Sequence, residues 1–177
     1  DRNKERNIDD SKRGFRYNTI RFSYKIFTVA HAVLNFDNYK YIIWLDGDMI
    51  FKKSLTQEII ESMFIKDNNM MSYMGRRKNY HSECGFLIFN LKHNYTHEFL
   101  HSIRELYLLD KIYEEKEWHD SYIWDRVRRL FEEKYNITNF NITTECSTGK
   151  MIHNHPLLST HLYEYLDHLK GDIRKKL

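Results

Sequence analysis

Two carboxylates one residue apart, Asp46 and Asp48, close the segment from Tyr39 to Asp48, which is largely apolar and aromatic up to Leu45. A run of this kind, rich in aromatic and β-branched residues, has the pattern of a buried central strand. Side chains alternate along a strand, so both aspartates would leave it on the same side and could face one hard cation. Mg²⁺ or Mn²⁺ takes oxygen ligands and completes its shell with water and substrate phosphates, so the pair predicts a metal–diphosphate site. In open α/β sheets the ligand crevice lies beyond the carboxyl ends of the strands, where this pair falls. The Asp46-Gly47-Asp48 triplet is also good turn chemistry, so the metal reading depends on partners elsewhere in the chain.

The elements that would position these groups follow from periodicity. From Ile20 to Leu34 apolar residues recur at Phe22, Ile26, Val29, Ala30 and Val33, which is helical spacing, and Arg21 and Lys25 share one face of that helix. Ser54 followed by Gln57 predicts a capped helix start, with Ile59, Ile60 and Met63 as its buried stripe to about Phe64. Met70 to Gly75 and Cys84 to Asn90 read as strands, His97 to Leu109 as an amphipathic helix, and Asn139 to Thr144 as a weak strand. A helix opening at Asp120 would turn Ile123, Trp124, Val127, Leu130 and Phe131 inward and Arg126, Arg128 and Arg129 mostly outward. Strands and helices mixed around one core predict a single α/β domain over residues 1–177, with 1–14 as a charged arm.

Composition bounds the rest. At 41% apolar and 15% aromatic residues with a single proline, the 177-residue chain is that of a globular domain with a sizeable core. Its 28 basic and 25 acidic residues leave a charge of +3, which implies no nucleic-acid partner. No apolar run reaches transmembrane length. Cys84 and Cys146 are too few for a disulfide framework, so reduced thiols and a cytoplasmic location, at most peripheral to a membrane, are expected. Glycosylation sequons at Asn94, Asn136 and Asn141 are chance products of an asparagine-rich chain on this reading. The chain opens on Asp1 without a methionine and ends at Leu177 in a basic run, and we read it as a fragment.

Four islands belong together: Asp46 to Asp48, Glu83 to Phe86, Trp118 to Ser121, and Asp167 to Gly171. With them the chain resembles metal-dependent nucleotide-sugar glycosyltransferases of the GT-A fold, and the likeness runs from Arg21 to Lys175. The resemblance implies a Rossmann-like, mixed but mostly parallel sheet flanked by helices. It also implies a nucleotide-sugar donor, Mn²⁺ or Mg²⁺, and a glycan, lipid-linked or protein acceptor. Asp46 and Asp48 would be the family's Asp-x-Asp. His168, Gly171 and Arg174 keep the spacing of the His-x-x-Gly-x-x-Lys element of the glycogenin-like and lipooligosaccharide galactosyltransferase branch, with Arg for Lys and Lys175 beside it. On that likeness His168 becomes a third metal ligand, and Lys170, Gly171, Arg174 and Lys175 line the diphosphate. Arg21 and Lys25 resemble the cationic pair near the donor, and Glu83 with Gly85 resembles the strand entry that lines the donor-sugar pocket. The base-binding strand and helix with which the family begins has no counterpart before Arg21.

Several of these residues have plainer roles available. Leu162, Tyr165, Leu166 and Leu169 have helical spacing, so His168 could mark a helix end with Gly171 as its cap. Asp120 could be the N-cap of its helix, or the catalytic carboxylate that serves as base in an inverting enzyme or faces the sugar in a retaining one. Trp118 could stack on a sugar but is more readily a core residue. His81, His93, His97, His153 and His155 show no ligand spacing and are left to surface or core. Two other functions remain. A nucleotidyltransferase would need a Gly-rich phosphate loop, which the N-terminal region lacks, and a glycan-binding remnant would keep the sheet without the chemistry.

Overall fold

The computed structural model describes residues 14–36, 38–77, 80–149, 152 and 155–169; the expectations for the arm before Gly14, for His153 and for Lys170, Gly171, Arg174 and Lys175 lie outside them. Helix α1 (Thr19–Asn35) precedes strands β1 (Tyr41–Leu45) and β2 (Met49–Phe51). A short α2 (Gln57–Ile59), widening into a π turn (Ile60–Phe64), leads to β3 (Met71–Met74) and β4 (Glu83–Asn90). Then come α3 (Thr96–Leu108), α4 (Asp120–Tyr135), β5 (Phe140–Asn141), α5 (Ile142–Glu145) and β6 (Leu166–His168). The main sheet has the order β1-β4-β3-β5, and β2 and β6 form a separate antiparallel pair.

The protein is mixed α/β, but the expectation of a mostly parallel sheet needs correction. Strand β4 runs antiparallel to both β1 and β3, and among the described residues only β3 and β5 pair in parallel. The tight connection from β3 into β4 is the reason, because a parallel step would need a long crossover and fewer than ten residues separate Met74 from Glu83.

Both faces of β4 are buried, which is why it reads as an unbroken apolar run rather than an alternating one. Leu87 and Phe89 join a core with α1, α3 and α4, whereas Phe86 and Ile88 join a second core under Phe64, Leu157 and Leu166. The same alternation governs β1. Ile42 and Trp44 pack toward α1, and Tyr41, Ile43 and Leu45 toward the other face. Continued to the next position, that parity directs Asp46 at α1.

Local details differ from the sequence reading in several places, among them the weak strand expected over Asn139 to Thr144, of which only Phe140–Asn141 is strand because Asn141 caps a short helix from Ile142. The cap of α2 is Thr56, not Ser54: its extended backbone lets the hydroxyl accept the Ile59 N–H at 3.4 Å. Helix α4 exchanges two expected orientations, with Leu130 48% exposed and Arg128 buried. Arg128 lies over the Tyr73 ring and between Asp125 and Glu132, so its charge is paired where it enters the core. The segment from Leu162 to Leu169 is no helix end. It makes a single tight turn at His161–Glu164 and then strand β6.

Candidate functional site

The Asp46–Asp48 segment is a turn, closed by a hydrogen bond from Met49 N–H to the Asp46 carbonyl at 3.0 Å, just after β1 ends. Gly47 is exposed with open space where a Cβ would stand, so the turn makes no steric demand for glycine. What brings the C-terminal region here is the ladder that follows the turn. Strand β6 pairs with β2 so that His168 lies opposite Met49, and Leu169 N–H donates to the Asp48 carbonyl at 2.9 Å.

His168 Nε2 lies 2.9 Å from Asp48 Oδ1. One ligand atom from each of Asp46, Asp48 and His168 falls within 4.8 Å of the others, a spacing open to a single cation. The imidazole, 3% exposed, lies directly on Gly85: a Cβ added there would stand 2.8 Å from His168 Cε1. The space a side chain at position 85 would fill is therefore taken by the histidine. His155 supports the arrangement, its Nε2 3.0 Å from the His168 carbonyl.

Lys25 reaches the site from α1. Its ammonium contacts Asp46 Oδ1 at 2.9 Å, Asp120 Oδ2 at 2.7 Å and the Cys84 carbonyl at 3.0 Å, which accounts for all three of its donors. Burial by itself would lower its pKa, but the carboxylates of Asp120 and Asp46 outweigh it and the net shift is well upward. The neighbouring Cys84 thiol is pushed up by its own burial and stays uncharged, so the two aspartates supply the attraction. Trp44 Nε1 adds a hydrogen bond to Asp46 Oδ1 at 2.7 Å, leaving Oδ2 of that carboxylate for another partner.

Asp120 is the first residue of α4 rather than its cap. The cap is His119, whose Nδ1 accepts the Tyr122 N–H at 3.3 Å. Asp120 Oδ1 accepts from Ser121 N–H at 2.8 Å while Oδ2 holds Lys25. Two cavities meet at this residue. One, of about 410 Å³, is lined by Arg21, Lys25, Trp44, Asp46, Glu83 and Asp120. The other, of about 380 Å³, is lined by Arg76, His81, Glu117, His119, Asp120 and Tyr122 among others.

The remaining candidates divide. Arg21 is exposed on the rim of the first cavity. Glu83 lines the same cavity, its carboxylate ion-paired with Arg76. Trp118 is a core residue, edge-on to Tyr17 and Tyr113, with Nε1 donating to the Glu115 carbonyl. Sequence reasoning missed Trp44 and Arg76 as partners of the site carboxylates, and it missed the meeting of His81, Glu117 and His119. Glu117 and His119 are two apart in an extended stretch, a faint signal, but nothing in the chain announces that His81 joins them.

Compared with family models, curated proteins and solved structures, the chain shows no significant match. No helix among the described residues is long and apolar enough to cross a membrane.

Proposed function

We propose that this protein is a metal-dependent, GT-A-like glycosyltransferase that moves a sugar from a nucleoside-diphosphate donor to a glycan, lipid-linked or protein acceptor. The observation that carries the reading is the meeting of His168, from the far end of the sequence, with Asp46 and Asp48. Two carboxylates and one imidazole suit Mg²⁺ or Mn²⁺ and leave room for phosphate oxygens and water. Bound there, the ion would supply positive charge to the departing diphosphate. Asp48 and His168 would hold it, with Asp46 offering the oxygen that Lys25 and Trp44 do not use.

The cavity with Arg21 and Asp46 on its wall takes the donor, and the other takes the acceptor. Asp120 stands between them, where the sugar changes hands. With Oδ2 ion-paired to Lys25 and Oδ1 accepting the Ser121 N–H, both oxygens are held in place, which suits a fixed carboxylate facing the sugar better than a base for the acceptor hydroxyl. The resemblance also gives Lys170, Arg174 and Lys175 the role of diphosphate contacts, although they lie outside the described residues.

A non-catalytic glycan-binding remnant is the second reading. One feature favours it: Lys25 and His168 already pair the acidic groups, so the cluster holds together without a cation. The test is calorimetric titration with Mn²⁺ and Mg²⁺, followed by a screen of nucleotide sugars for metal-dependent release of nucleoside diphosphate. Binding should weaken at least about tenfold in Asp48→Ala and His168→Asn proteins that remain folded. Unchanged affinity in both would overturn the metal site. Metal binding without turnover on any donor would leave the remnant.

A further inference from the structure

We propose that His81, Glu117 and His119 form a second cation site, separate from the Asp46–Asp48–His168 cluster, that takes an ion of the zinc class. One ligand atom from each residue lies within 4.8 Å of the others. Glu117 Oε2 is 2.7 Å from His119 Nε2 and 3.5 Å from His81 Nε2. The segment before α4 is extended at His119, so side chains two apart, Glu117 and His119, share a side. His81 comes to them from the connection between β3 and β4.

The surroundings hold the three groups in orientation, as outer contacts do around bound metals. Arg16 Nη1 takes the other oxygen of Glu117 at 3.3 Å, which directs Oε2 at the histidines. The Nδ1 of His81 faces the buried Asp125 carboxylate at 4.0 Å, and Asp125 is itself fixed by the Ser82 N–H and hydroxyl. Tyr122 packs edge-on against the His81 ring, and Phe22 packs against that of His119. Two imidazoles and one carboxylate are a borderline donor set that suits Zn²⁺ better than Mg²⁺, the reverse of the oxygen-rich first cluster. The ion would tie the β3–β4 connection to the start of α4 across the 380 Å³ cavity, leaving a coordination position for water or a ligand.

Without an ion, the proton of neutral His119 sits on Nε2, because Nδ1 accepts from Tyr122 N–H. Ligation through Nε2 moves that proton to Nδ1, where it faces the Tyr122 donor and breaks the long 3.3 Å cap bond. Site occupancy and exposure of one backbone amide are therefore coupled, which adventitious binding would not produce.

The experiment is titration of chelator-treated protein with Zn²⁺, and with Co²⁺ as its coloured substitute, in the wild type and in His81→Ala, Glu117→Gln and Asp48→Ala. The half-buried His81 and the isosteric Glu117→Gln change keep the fold within reach. The visible bands of Co²⁺ should appear, affinity for the ion that gives them should fall at least about tenfold in His81→Ala and Glu117→Gln, and Asp48→Ala, whatever it loses at the first cluster, should keep these bands with that affinity. Hydrogen exchange at the Tyr122 amide should speed up on Zn²⁺ addition. Unchanged affinity in both site variants, or loss in Asp48→Ala alone, would overturn the proposal. Because Asp48→Ala separates the two clusters, failure here leaves the reading of the first cluster standing.

Discussion

Lys25 is a single side chain on which three elements converge: α1 carries it, Asp46 ends the β1 region and Asp120 begins α4. Truncating it as Lys25→Met leaves two poorly exposed carboxylates without a cation, and breaking a buried pair in this way costs about 3–5 kcal/mol. The midpoint of urea unfolding at neutral pH measures it. The folded pKa is raised above the ordinary 10.5, so this stabilisation is fully present below about pH 10.5 and is lost only as pH climbs through the higher folded value. Wild type and Lys25→Met should therefore differ in stability by the same amount at pH 6 as at pH 9. A second residue-scale expectation concerns Gly85. Its missing Cβ is the space His168 occupies, and the obstacle to adding one is a packed ring rather than a flexible tip. Gly85→Ala should cost about 1–3 kcal/mol by overpacking and, on the proposed metal site, should also weaken Mn²⁺ binding, because it displaces His168. Wild-type Mn²⁺ affinity in this variant would show that His168 does not need its present place.

At the scale of elements, the start of α4 joins stability to both clusters. His119 caps the helix and is buried; burial lowers its pKa, and although Glu117 pulls it up, burial wins. The fold therefore holds the ring neutral, while the unfolded chain protonates it near 6.5. Stability from this group is complete above about pH 6.5 and declines as pH falls toward the lower folded value. His119→Asn keeps a capping side chain but cannot titrate, so its melting temperature should fall less than that of the wild type between about pH 7 and pH 5. His93, whose pKa burial also lowers, will leave part of the acid sensitivity in place. Identical pH slopes in the two proteins would remove His119 from the account. The β2–β6 pair is the other element that matters here, since its register, not any property of His168 itself, sets the imidazole beside Asp48.

For the molecule as a whole, β4 is the shared wall of two cores, and the site sits at the end where β4 begins and β1 stops. Phe89 is fully buried in the core beneath α1, α3 and α4, against Trp124 at a ring distance of 5.4 Å. Phe89→Ala should cost about 3–5 kcal/mol, and the loss should appear as one cooperative transition because the same strand serves both layers. Two separate melting transitions would mean that the two cores unfold independently.

The elements that periodicity marks strongly were legible from the chain: α1, α3 and α4 lie within a residue or two of where their apolar spacing puts them, and β4 covers the strand read at Cys84 to Asn90, whereas the segment read as a buried central strand, β1, is a half-buried edge strand because the sheet places β4 inside it. The Asp46–Asp48 pair, its place after β1 and the shared face of Arg21 and Lys25 were likewise local facts. Non-local pairing was not. The spacing of Leu162 to Leu169 fits a helix end, but β2 offered an open strand edge, and tertiary hydrogen bonds overrode the local pattern to make β6. Arg128 looked like a surface charge until Asp125, Glu132 and Tyr73 were brought around it. By itself the sequence determined which residue types could bind a hard cation and which segments would be regular, because spacing and side-chain chemistry are local quantities. Only the tertiary structure decided that Lys25 would join Asp46 to Asp120, that His168 would reach Asp48 across Gly85, and that His81 would meet Glu117 and His119. Each depends on strand register and on helix placement over the sheet, which arise from packing between segments distant in the chain.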